Sequence, residues 1–180
     1  MSRHSYATEE GACVNPASFT AVGNTTTTTV LWAADIWTPI KANTVSPGTY
    51  IEVRAGGISS SAAGVSGALT FSMLWGTTTG GVSLGAGSAI NIANAAVTNL
   101  PWDLRFGFTV RSIGATGVGT GNGVAFRPRS ATTTAIQLVG GTIATIDTTT
   151  DQGLVGVVNW TTANSSNTIT TQWVEMRTYN

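Results

Sequence analysis

An all-β, antiparallel β-sandwich is the fold that the sequence predicts, and three observations predict it. Segments between the Gly and Asn clusters are short and filled with Thr, Val, Ile, Phe and Trp, residues that suit a pleated surface. One segment, Trp102 to Ile113, alternates Leu104, Phe106, Phe108 and Val110 with Asp103, Arg105, Thr109 and Arg111, the period of a half-buried strand. No stretch carries a 3.6-residue period. Eight or more strands without intervening helices, joined by connections of unequal length, favour a jelly roll of about eight strands. An immunoglobulin-like sandwich fits less well, because its Cys, Trp, Cys spacing is missing from a chain with one cysteine, Cys13.

The elements follow in order. Residues 1–24 hold the one histidine, the one cysteine and the Glu9-Glu10 pair without alternation, and read as an N-terminal arm ahead of a β-sandwich domain over residues 25–180. Thr25 to Ala33 reads as the entering strand, since threonine is a good strand residue and the run leads into Val30-Leu31-Trp32. Ser46-Pro47-Gly48 predicts a turn, then strands at Thr49 to Ala55 and Ala68 to Trp75 on either side of the Gly/Ser/Ala stretch 59–67. Gly76 to Gly87 reads as turn-rich. Weaker strands are expected near Ser88 to Ile92, Ile136 to Val139 and Thr142 to Ile146, with stronger ones at Gly123 to Arg129, Leu154 to Trp160 and Thr168 to Tyr179. The alternate glycines from Gly117 to Gly123 read as a flexible hairpin loop. Trp75, Trp102, Trp160 and Trp173 fall on these strands and are expected in the core.

Composition narrows the function classes. Charged residues are 9% of the chain, against about 25% in an average soluble protein, while 22 glycines and 32 threonines are present. A coiled coil, a helical bundle and a charged disordered tail are excluded. The formal net charge is zero, so no long-range field draws nucleic acid or an anionic membrane, and neither is an expected partner. The longest apolar run, Val30 to Ala34, is five residues, against the roughly 20 of a spanning helix. Met1 to Gly11 is followed by no apolar run of signal-peptide length, so synthesis in a reducing cytoplasm is expected, which a lone cysteine fits.

Candidate chemistry is sparse. Hydrolytic triads need a base beside the nucleophile, and the chain has one histidine, four residues from its end. Glu52, Asp103 and Glu175 alternate with apolar neighbours on expected strands and read as solvent-facing ladder positions rather than as a glycosidase pair. Asp147 and Asp151 bracket three threonines, the composition of an Asx or ST turn more than of a calcium loop. No catalytic residue, metal site or cofactor is therefore expected. What remains are assembly contacts. Tyr6 and Phe19 are the large apolar groups of an arm that either orders against a partner or packs back on its own domain, and Trp37 lies either inside the domain or between subunits. Arg127 and Arg129 flank Pro128 at a strand end, where exposed guanidinium groups are either solvated or meet a neighbour's carboxylates.

Several passages resemble jelly-roll structural proteins of tailed bacteriophages. They are Pro47-Gly48-Thr49-Tyr50-Ile51-Glu52-Val53-Arg54-Ala55-Gly56-Gly57, Thr98-Asn99-Leu100-Pro101-Trp102-Asp103-Leu104 and Phe108 to Gly117. Ile146-Asp147-Thr148-Thr149, Asn159-Trp160, Ser165 to Thr170 and Trp173-Val174-Glu175 agree with them. The resemblance covers about residues 45–180 and implies a non-enzymatic virion component, minor capsid or head-decoration type. It further implies a homotrimer bound to the major capsid protein at the capsid surface. A tail-associated carbohydrate-binding or host-recognition module is the alternative, with exposed Trp or Tyr as the sugar platform.

Overall fold

The computed structural model describes residues 10–14, 19–32, 40–62, 67–91, 96–128 and 134–179. Two antiparallel sheets account for every element among them. Sheet A runs in the order β1 (Glu10–Val14), β12 (Thr168–Tyr179), β4 (Tyr50–Ser61), β8 (Val97–Ser112), β9 (Gly117–Pro128) and β10 (Thr134–Ile146), with β2 (Val22–Gly23) also on β12. Sheet B runs β3 (Thr29–Trp32), β11 (Gly153–Trp160), β5 (Ala68–Gly76) and β6 (Val82–Ala86), with β7 (Ile90–Asn91) on β5. The predicted all-β antiparallel sandwich is what the chain forms.

The core lies between the sheets and obeys the predicted alternation. Leu104, Phe106, Phe108 and Val110 of β8 are all buried, as are Ile51, Val53 and Ala55 of β4 beside them. Leu69, Phe71, Met73 and Trp75 of β5 close the space from sheet B. Three indole N–H groups reach backbone carbonyls: Trp32 to Leu154 at 3.0 Å, Trp75 to Asp147 at 2.9 Å and Trp102 to Thr170 at 3.1 Å. β11 is buried on both faces, because Leu74, Val155 and Val157 form a second cluster with Val30 on the far side of sheet B.

The Ser46-Pro47-Gly48 turn forms as predicted: Pro47 presets one φ, Gly48 supplies φ +98°, and Thr49 N–H donates to Ser46 O at 2.9 Å. The alternate glycines 117–123 depart from the predicted hairpin loop and build most of β9. Gly119 and Gly121 face inward, opposite Val110 and Phe108, where a Cβ would fall inside the Phe108 and Phe106 rings respectively. The glycines are there to admit two phenylalanines, not to bend the chain. Gly76 to Gly87 likewise yields β6, and the two weak segments near Ile136 and Thr142 merge into one strand, irregular between Gly140 and Ile143.

The N-terminal lead-in also departs from the expectation of an arm without strand structure. Glu10 to Val14 pair with Thr178 to Val174, Val22 and Gly23 pair with Ile169 and Thr168, and Phe19 packs against the core. Within the described residues this segment covers the edge of β12.

Candidate functional site

The outer face of sheet A carries the densest array of chemistry on the molecule. Register places Trp173, Gly56 and Asp103 side by side on β12, β4 and β8, with Phe126 next on β9. One row along lie Glu175, Arg54 and Arg105, and beyond them Arg177 and Glu52. Opposite charges thus face each other across β12 and β4, and each carboxylate also meets an arginine two residues along its own strand. Arg54 Nη2 lies 2.9 Å from Glu52 Oε1, Arg177 Nη2 2.6 Å from Glu175 Oε1, and Arg105 Nε 3.5 Å from Asp103 Oδ1. Glu52, Asp103 and Glu175 occupy the solvent-facing positions expected of them. At the far end of the same face the Tyr50 and Tyr179 rings pair at 5.9 Å, and burial, then the nearby Glu52 charge, push the Tyr50 hydroxyl above the usual phenol range.

Trp173 is the main revision. Its strand runs inward at Ile169 and Thr171, and continued alternation would bury it. A β-bulge at Gln172 shifts the register between Thr171 and Trp173, so that Val174 and Met176 turn inward and Trp173 turns out. The indole then rests on the sheet over Gly56, where a Cβ would stand 2.7 to 2.8 Å from its Cζ2, Cε2 and Nε1 atoms. Between Trp173 and Phe126 opens a groove of about 430 Å³ lined by Ile58, Pro101, Asp103 and Gln172. Asp103 Oδ1 is buried there and, beyond its ion pair with Arg105, accepts no hydrogen bond among the described residues. Sequence reasoning missed this groove, although Glu175 and Arg177, which share parity with Trp173, signal an outward face.

Arg127 is the second revision. Its expected exposure is overturned: it lies on β9 with Ala125, facing the interior, and is 0% exposed. Its Cζ stands 5.6 Å from the centroid of the Trp160 ring, and Nε, Nη1 and Nη2 are all buried without a hydrogen-bond acceptor among the described residues. Burial pushes its pKa down to about 10, which leaves it charged at neutral pH. An unpaired buried charge costs several kcal/mol, of which a cation–π contact returns about 2 kcal/mol.

The two loop aspartates make separate ties. Asp147 Oδ1 accepts from Thr149 N–H at 2.7 Å and Thr149 Oγ1 at 2.6 Å, forming an Asx turn. Asp151 accepts from Lys41 Nζ at 2.7 Å and Ala42 N–H at 2.9 Å. Comparison with protein-family models, curated proteins and solved structures finds no match. Of the expected assembly contacts, Phe19 packs on its own core and Arg127 is internal, while Tyr6, Trp37 and Arg129 lie outside the described residues.

Proposed function

We propose that the chain is a jelly-roll structural component of a tailed-bacteriophage virion, a non-enzymatic minor capsid or decoration protein attached as a homotrimer to the major capsid lattice. The observation that carries this reading is the pairing scheme. With β1, β3, β4, β5, β6, β8, β11 and β12 counted as eight strands, first pairs with eighth, second with seventh, third with sixth and fourth with fifth. That is the scheme of one long hairpin rolled into two sheets, with β9 and β10 inserted after the sixth strand. The longer passages that resemble phage virion proteins fall mainly on β4, β8 and β12, three consecutive neighbours in sheet A, and the shorter ones on the end of β10 and on β11. The paired charges on its outer face add a further support, since a locally neutral surface packs against a lattice without stranding a charge. Light scattering at micromolar concentration is expected to give three chains of 18.4 kDa, and a monomer alone would count against the trimer.

A second reading, a tail-associated carbohydrate-recognition module, is favoured by the Trp173 groove. An indole lying on a sheet beside a carboxylate oxygen that is ion-paired at 3.5 Å but accepts no hydrogen bond among the described residues offers a stacking surface and an acceptor for sugar hydroxyls. Titration with host-surface polysaccharide that quenches tryptophan emission in the wild type and not in Trp173→Ala would favour this second reading over the first.

A further inference from the structure

We propose that Arg127, together with the indole N–H of Trp160, binds a small anion, an inorganic oxyanion or a carboxylate, inside one end of the sandwich. Both groups are donors only, and neither has an acceptor among the described residues. Arg127 follows Phe126, which pairs with Asp103, and its guanidinium lies against the Trp160 ring, with Cζ 5.6 Å from the centroid. Two buried donors in contact, with no acceptor between them among the described residues, select a ligand that carries lone pairs and negative charge.

Among the described residues the carboxylates other than Glu10 have partners of their own. Glu52, Asp103, Asp151 and Glu175 form the four ion pairs described above, and Asp147 closes its Asx turn. Glu10 pairs with Thr178, ten residues along β12 from Thr168 and so about 33 Å away.

The test is thermal unfolding of the full chain in a bulky sulfonate buffer, titrated separately with chloride, phosphate, sulfate and acetate at constant ionic strength. Wild type is expected to rise by roughly 5 to 10 °C at a hundredfold excess of the preferred anion over its dissociation constant. Arg127→Met, which removes the charge at similar volume, should lose that rise and melt at or above wild type in the sulfonate buffer. Arg127→Lys, keeping the charge with fewer donors, should show a weaker rise. A wild type that responds to anions no more than Arg127→Met, or an Arg127→Met that melts below wild type in every buffer, would overturn the proposal. The first outcome leaves only general salt effects, and the second means that the charge is already compensated within the chain. Should Arg127→Met fail to fold, an Arg127→Lys response equal to wild type for every anion would do the same.

Discussion

The core of this molecule is decided by pairs of unlike residues across two strands. Phe106 and Phe108 on β8 fill the space that Gly121 and Gly119 on β9 leave open. Phe106→Ala is expected to cost about 3 to 5 kcal/mol and Gly121→Val to be destabilising as well, through overpacking of about 1 to 3 kcal/mol or more. Urea unfolding of both variants checks this, and a neutral result for either would remove the pairing. The same pairing explains why Arg127 was illegible. On β9 the larger apolar residues, Val124 and Phe126, point outward, and the small Gly121 and Ala125 point inward, so a reader who follows hydrophobicity sends Arg127 out to solvent. Acid behaviour belongs to this scale too. Hydrogen bonds from the Thr149 hydroxyl, then its N–H, hold Asp147 below the usual carboxylate range, and Lys41, then Ala42 N–H, do so for Asp151. A depressed folded pKa contributes stability that is present above the unfolded value, about 3.9, and lost as pH falls through the folded one. The unfolding midpoint should therefore hold down to about pH 4.5 and fall below it, and Asp147→Asn, whose amide oxygen still closes the turn, should soften the fall.

At the scale of elements, the strands that alternate cleanly were legible and those that break alternation were not. β8, β12 and the second half of β9 are legible, whereas the first half of β9 hides behind its glycines and the bulge at Gln172 hides the outward turn of Trp173. A bulge adds one residue without changing composition, so periodicity alone sends the next side chain to the wrong face. The strand in the lead-in is invisible to periodicity for a related reason: five residues that gain a sheet by covering an existing edge need no pattern of their own. Deleting residues 2–18 removes β1 and uncovers the side of β12 that it protects. The expected result is a lower melting temperature and association through the freed edge, read by scanning calorimetry and light scattering. An unchanged, monodisperse protein would mean that β1 contributes nothing to the isolated domain.

For the whole molecule, a chain with 9% charged residues and zero net charge has arranged its sheet-face ions as internal pairs and spent its glycines on close packing. That combination fits a part that is surrounded by other parts. Fold class was readable because strand grammar is local; the buried Arg127–Trp160 contact and the aromatic groove were not, because each is assembled from strands far apart in sequence. The central claim is a place in a virion lattice, and the count of this protein per purified particle, by quantitative mass spectrometry against the major capsid protein, tests it most directly. Hundreds of copies in fixed ratio to the capsid protein are expected. A handful per particle would move the protein to the tail, and none would contradict the account.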